Sequence, residues 1–282
     1  MRVEPLDATL GAVVTGVRLA TLTDREWDDV ADAFHEHAVL VFPGQHLERD
    51  EQLAFARRLG DIENLVGNDG MTPIANVTRE GEVLAPANPV MSILRGNQGW
   101  HTDSSYMPIA AKASMLTAKV VPSRGGLTEW ADMRAAYDAL DDATKARLEG
   151  LSAAHSIVYS QRRAGEATFE GGYGYDVEVP PRRPLVKVHP VTGRSALFIG
   201  RHAHDVTGMT AEESEAFLDD LLTFACQPPR VYTHHWRVGD LVLWDNRCVL
   251  HRARPWDWSE PRVMMHTRVS GDPATEAALI GT

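Results

Sequence analysis

The residues with the most chemical potential lie in Gly99-Trp100-His101-Thr102-Asp103-Ser104. In an extended segment, residues i and i+2 project to one face, so His101 and Asp103 can reach one metal ion together. A third ligand has to come from elsewhere. His251 suits that role, because it follows a strand–turn–strand run from Leu241 to Leu250. Two imidazoles and one carboxylate on one side of a metal leave the opposite positions open. Non-haem Fe(II) oxygenases use this arrangement, since a co-substrate and O2 must both bind there. The same three side chains could instead surround a zinc-bound water for hydrolysis. The chain has 12 histidines, so a single H-x-D pair is common, and His251 alone could be an ordinary core or surface residue.

Two further residues add to the pattern. Arg262 comes eleven residues after His251 at the start of a strand, and Thr128 follows the Gly125-Gly126 turn. An arginine fork with a hydroxyl beside it is suited to holding a carboxylate in a confined site. Their plainer readings are a surface ion pair and a strand hydroxyl. His202 and His204 form an H-x-H that could bind metal, although polar positions along one strand or near a pocket wall explain it more simply. His234-His235 reads as loop or strand surface.

The elements that must carry these residues are short. Thr23 with Glu26 makes a capping box, and Trp27, Val30, Ala31 and Phe34 follow at helical spacing. A buried strand, Val39 to Phe42, comes next, then a helix from about Asp50 to Leu59 with Gly60 expected as its left-handed cap. Between Asn64 and Asn97 the pattern dissolves, and a loop of that length within a compact domain reads as a functional lid. Further helices are predicted over 132–140, over 143–148 and after Thr210. Strands are predicted over 116–121, 185–188, 196–199, 241–244, 249–250 and 263–269. No regular βαβ alternation appears, and neither G-x-G-x-x-G nor a P-loop motif is present, which argues against nucleotide chemistry. An antiparallel double sheet with flanking helices is the expected architecture.

Composition bounds the rest. A net charge of −11 opposes binding to nucleic acid or anionic lipid. Two cysteines, Cys226 and Cys248, make neither a disulfide framework nor a CxxC site, and read as free thiols in a reducing cytosol. Acids at Glu4 and Asp7 and the lack of a long apolar run fit a soluble, cytoplasmic protein.

Taken together, W-H-T-D at 100–103, G-G-x-T at 125–128, W-D-N-R-x-x-x-H at 244–251 and Arg262 resemble the taurine/2,4-D dioxygenase family. The likeness also takes in the stretches near Gly11, Phe42 to Gln45 and Phe55 to Gly60, so it covers nearly the whole chain. Runs such as His155 to Gln161 and Ile199 to His204 are most similar to the aryloxyalkanoate dioxygenases that cleave (S)-2-phenoxypropionate and 2,4-D. The resemblance implies one domain over 1–282, a double-stranded β-helix (jelly roll) with flanking helices, and a lid-like segment at 64–97. It implies Fe(II) as cofactor, 2-oxoglutarate and O2 as co-substrates, a small-molecule substrate and a homo-oligomer.

Carried over by position, His101, Asp103 and His251 would be the iron ligands, and Thr128 and Arg262 would bind the distal carboxylate of 2-oxoglutarate. Trp244 would line the pocket beside the iron, and Asn97 would contact substrate. One departure stands out. Where the taurine and 2,4-D enzymes carry a second arginine, fifteen residues after the distal histidine, this chain has His266. Nor does 61–100 hold a histidine, which taurine enzymes use there, so taurine fits poorly. A substrate anion would then depend on His266, Arg201 or Arg95, with Arg268 pointing the same way as His266. Other small acids, sulfonates or sulfate esters remain alternative substrates. A zinc hydrolase and a non-catalytic binding protein are the readings from other classes.

Overall fold

The structure, a computed structural model, describes residues 1–64, 67, 69–168 and 172–279. Its frame is a seven-stranded sheet. Across that sheet the strands run Arg2–Pro5, Ala12–Thr15, Val39–Phe42, Leu241–Asp245, Ala111–Val120, Val263–Ser270 and Thr72–Ala75. All neighbours pair antiparallel except Ala12–Thr15 with Val39–Phe42. A three-stranded sheet of Val231–His234, Thr128–Asp132 and Val249–Ala253 carries the other half of the site. Two smaller sheets lie around Ser152–His155 and Val186–Val188.

Period-two alternation decides what each face of the large sheet covers. In Leu241–Asp245, Val242 and Trp244 belong to one apolar cluster, and Leu241 and Leu243 to another. Leu116 and Ala118 divide from Ala113 and Met115 in the same way on the neighbouring strand. The first cluster continues into Trp130, Ala131, Val249 and Leu250 of the three-stranded sheet, so the two sheets pack face to face there. Trp130 and Trp244 meet across this layer with ring centroids 5.7 Å apart. The second cluster takes Val30 and Phe34 of helix Asp24–His37 and Phe55 of helix Arg49–Leu59, which cover the sheet's other face.

Local signals were mostly sound. The Thr23–Glu26 capping box forms, and Ala38 ends that helix in the left-handed region at φ 60°. Thr210 and Glu213 likewise open helix Ala211–Ala225. Helices Met133–Asp138 and Asp142–Leu148 occupy the two predicted intervals, and the predicted strands form with ends shifted by up to five residues. Gly60 is not a left-handed cap, however. It sits at φ 145°, ψ −162°, and a side chain there would meet Lys112. The interval 64–97 is not one long loop either: it contains strand Thr72–Ala75 and helix Pro89–Gly96, while 65, 66 and 68 lie outside the described residues. Asn88 caps that helix by accepting a hydrogen bond from Val90 N, with Pro89 in its first turn, a start signal that was legible in the sequence. Among the described residues, no helix is long and apolar enough to cross a membrane.

A buried ionic knot locks the turn that joins the two layers. Arg247 donates from Nε to Asp245 Oδ1 at 2.8 Å and from Nη2 to Oδ2 at 2.6 Å, and His189 Nε2 lies 2.9 Å from Oδ2. Burial pushes the Asp245 carboxyl up, but Arg247 and His189 outweigh it and hold it below its ordinary range. Both carboxylate oxygens are therefore taken, and we read His189, Asp245 and Cys248 as a structural knot and not as a metal site. Asp245→Ala would leave Arg247 buried without its ion-pair partner, a loss of about 3–5 kcal/mol that denaturant titration would register. Because the folded-state pKa is depressed, Asp245 stabilises fully at neutral pH. That contribution is lost as pH falls below about 4, so the variant's deficit should shrink in acid.

Candidate active site

Residues 101 and 251 are joined by two main-chain hydrogen bonds. His101 N donates to His251 O at 3.0 Å, and His251 N donates to His101 O at 2.8 Å. This isolated antiparallel bridge places the imidazoles side by side, with centroids 4.1 Å apart. Asp103 lies two residues on, and ligand atoms from His101, Asp103 and His251 all lie within 4.8 Å of one another. Ser104 follows in the left-handed region at φ 54°, a strained turn of the kind that accumulates at functional sites.

The donor chemistry fits a divalent metal. His101 Nδ1 is 2.8 Å from the Gly99 carbonyl, which can only accept, so Nδ1 carries the proton and Nε2 keeps its lone pair. Burial pulls the His101 pKa down to about 4 and pushes that of His251 well below its usual value, so both rings are neutral near pH 7. Burial raises the Asp103 carboxyl, but facing His251, His266 and Arg268 outweigh it and keep it ionised. Ser114 Oγ donates to Asp103 Oδ2 at 2.7 Å and in turn accepts from Asn246 Nδ2 at 2.8 Å. Asn246 Oδ1 accepts from Trp244 Nε1 at 3.0 Å, and the Asn246 carbonyl accepts from Thr102 Oγ1 at 2.8 Å. Asn246 and Ser114 thus fix the carboxylate's orientation. Sequence reasoning missed both roles, although the polar Asn246 within the W-D-N-R run was a visible signal.

These groups open onto a cavity of about 700 Å³, counting its mouth. Thr128, Arg262, Trp244, Asn97, His266 and Arg201 all line it, whereas Arg95, the other arginine considered for the substrate anion, does not. Arg262 is buried, with Nε donating to Gly126 O at 3.1 Å and Nη2 lying 3.5 Å from Thr128 Oγ1. Trp236 Nε1 donates to the same hydroxyl at 2.9 Å, and Asn76 Oδ1 accepts from Arg262 N at 2.7 Å. Among the described residues no carboxylate lies within 4 Å of Arg262, and burial pulls its pKa down to about 10. A guanidinium held in this way lacks a counter-charge, and a small carboxylate in the cavity would supply one.

The other candidates sort by what already neutralises them. Arg95 is consumed by Glu166, donating from Nε to Oε1 at 2.7 Å and from Nη2 to Oε2 at 2.9 Å. Arg268 does not face the cavity. It donates to Ser104 Oγ at 3.3 Å, lies 3.6 Å from Glu63 Oε2 and covers the Tyr173 ring at 4.8 Å. His266 stacks on Trp244 at 5.7 Å, and its Nε2 lies 3.4 Å from Asp103 Oδ2. Its Nε2 therefore faces the Asp103 carboxylate while the ring lines the cavity.

Arg201 differs from these three. It donates to Gly96 O and to Gln161 Oε1, both neutral, and burial pulls its pKa down to about 10. Trp244 forms a wall 4.7 Å from the His251 ring, but its indole N–H is spent on Asn246. Asn97 ends helix Pro89–Gly96, and its carbonyl accepts from Ala253 N at 2.9 Å.

The H-x-H pair divides. His202 lines the cavity with Nδ1 2.8 Å from Ser160 Oγ, whereas His204 stacks on Tyr159 away from it. His234 bonds within its own strand region, to Tyr232 and Asp240. Tyr106, Tyr173, Tyr175 and Ile157 complete the walls, and no local pattern in the sequence marked them.

Comparison with known proteins agrees with this geometry. The family described as "Taurine catabolism dioxygenase TauD, TfdA family" matches residues 2–268. An (S)-phenoxypropionate/alpha-ketoglutarate-dioxygenase of Sphingobium herbicidovorans is 54% identical over 98% of this chain and 97% of its own length. An alpha-ketoglutarate-dependent 2,4-dichlorophenoxyacetate dioxygenase of Burkholderia sp. is 41% identical over 89% of this chain and 87% of its own. The crystal structure of AAD-2 in complex with Mn(II) and N-oxalylglycine superposes with a TM-score of 0.91, at 40% identity over 99% of each chain. With three convergent ligand side chains, an uncompensated arginine beside them and a match of this extent, the chain belongs to the TauD, TfdA dioxygenase family.

Proposed function

We propose that this chain is an Fe(II)- and 2-oxoglutarate-dependent dioxygenase acting on a small aryloxyalkanoate, such as (S)-2-phenoxypropionate or 2,4-dichlorophenoxyacetate. One observation carries the reading: a buried guanidinium, Arg262, and a half-buried one, Arg201, neither with a carboxylate partner among the described residues, line the same cavity as His101, Asp103 and His251. A site built in this way is suited to one metal ion and two separate carboxylates.

His101, Asp103 and His251 would hold Fe(II), which when bound supplies the redox chemistry that couples 2-oxoglutarate and O2 to substrate hydroxylation, with succinate and CO2 released. Arg262 and Thr128 would anchor the distal carboxylate of 2-oxoglutarate, so that its keto-acid end faces the three ligands. Arg201 would take the substrate carboxylate, and the apolar walls Ile93 and Ile157 would take the aryl ring. Hydroxylation at the carbon bearing the ether oxygen gives a hemiketal or hemiacetal, which collapses to a phenol and a 2-oxo acid. Trp244, tilted against His251 and stacked on His266, would shield the metal site from water.

The reading extends to the whole molecule as a single domain with a jelly-roll core, in which the large sheet and the Val231–His234, Thr128–Asp132, Val249–Ala253 sheet enclose the site. The 64–97 segment acts as its lid, supported by Ile93 and Asn97 lining the cavity. Two free thiols fit a cytoplasmic location, and exposed Val188 and Val191 beside strand Val186–Val188 fit association with further copies of the chain.

Protein purified without O2 and given Fe(II), 2-oxoglutarate, O2 and (S)-2-phenoxypropionate should release phenol matched one-for-one by succinate, and none with Zn(II) in place of iron. Iron-independent phenol release would instead indicate hydrolysis. Arg262→Gln should raise the KM for 2-oxoglutarate by about a hundredfold, the scale of removing one partner of a buried charge pair. Arg201→Gln should raise the KM for the aryloxy acid by about ten- to a hundredfold while leaving that for 2-oxoglutarate in place. Steady-state kinetics with each co-substrate varied in turn separates the two, and equal effects of both variants on both constants would contradict the assignment.

A further inference from the structure

Arg201 can attract a substrate carboxylate only while no protein carboxylate has claimed it. Its immediate acceptors are the Gly96 carbonyl and Gln161 Oε1, the latter at 2.5 Å, and neither cancels its charge. Yet an acid stands close by. Glu166 follows helix Ile157–Arg163, and its main-chain N donates to the Gln161 carbonyl at 2.9 Å. It is the carboxylate among the groups whose charge acts on Arg201, though it lies beyond ion-pair distance.

Both oxygens of Glu166 are occupied by the fork of Arg95, at 2.7 and 2.9 Å, and Arg95 Nη2 also donates to Ser92 Oγ at 3.1 Å. Arg95 sits in the last turn of helix Pro89–Gly96, one residue before the carbonyl that Arg201 holds. Two arginines therefore share a neighbourhood with one acid, and the half-exposed one has it.

We propose that Arg95 is a positioning residue that holds Glu166 away from Arg201 and so keeps Arg201 available as the cation for the substrate carboxylate. The inference rests on the aryloxy-acid reading and adds a residue to it. Without Arg95, Glu166 loses the cation that occupies both its carboxylate oxygens and stands near a half-buried guanidinium that has no carboxylate partner among the described residues, so it competes with the substrate as an internal anion. A plain structural clasp makes a different prediction. If the pair mattered only for tying the helix to the loop after 163, loss of either partner would be equally harmful.

The test compares Arg95→Gln, Glu166→Gln and the double variant with the unaltered chain. Arg95→Gln should raise the KM for (S)-2-phenoxypropionate about tenfold, the scale of one charge-assisted hydrogen bond, with kcat and the KM for 2-oxoglutarate little changed. Glu166→Gln should stay near the unaltered value, and adding it to Arg95→Gln should restore the KM. The same order should appear in the affinity of (S)-2-phenoxypropionate for the Mn(II)-loaded protein, measured by calorimetry without O2. Glu166→Gln as damaging as Arg95→Gln, or a double variant no better than Arg95→Gln alone, overturns the proposal. Unaltered protein that binds the acid but forms no phenol overturns the dioxygenase substrate instead, and leaves the binding comparison of the variants to decide the role of Arg95.

Discussion

Two main-chain hydrogen bonds between residues 101 and 251 are the constraint on which the site depends. They join segments 150 residues apart in the chain, one entering from the turn after helix Pro89–Gly96 and the other within strand Val249–Ala253. Once that bridge exists, the two imidazoles must be neighbours, and Asp103 arrives with them because its spacing from His101 is fixed by the backbone. The strand Val249–Ala253 pairs with Thr128–Asp132, so the bridge also fixes Thr128 relative to His251. Arg262, at the margin of the large sheet, then meets Thr128 across the layer.

Around this bridge the charges are arranged so that internal ion pairs are complete wherever the fold needs rigidity and incomplete where a ligand is wanted. Asp245 with Arg247 and His189, and Asp132 with Arg134, are closed buried pairs. Arg262 is buried to a similar degree and Arg201 is half-buried, and both face neutral oxygens. Burying a guanidinium without a counter-charge costs stability, and that cost is offset when a carboxylate binds. On the proposed roles of Arg262 and Arg201, affinity for two organic acids would be stored in the folded state in this sense.

The helix Pro89–Gly96 and the helix Ile157–Arg163 form the helical wall of the site. They contribute Ile93, Asn97, Ile157 and Gln161 to the cavity and are tied by Arg95 and Glu166. None of these residues belongs to the sheets' apolar clusters. Substrate choice can thus vary on a scaffold whose metal and 2-oxoglutarate machinery is fixed by strand pairing.

The sequence by itself determined the local features: the Thr23 and Thr210 caps, the strands 241–244 and 263–269, and the H-x-D spacing that commits His101 and Asp103 to one face. It also marked His251, Thr128 and Arg262 through motif spacing. Each of these depends on backbone geometry over a few residues, which is why it was legible. It did not say which arginine is free, because Arg95, Arg201, Arg262 and Arg268 are chemically identical in a string of letters. Only the tertiary structure assigned Glu166 to Arg95, Glu63 and Ser104 to Arg268, and neutral carbonyl or amide oxygens to Arg201. The fold likewise set His266 beside Asp103, a neighbour its place in the sequence did not reveal. Charge compensation is a long-range property, set by which side chains the sheets and helices bring within a few ångströms, and no local pattern encodes it.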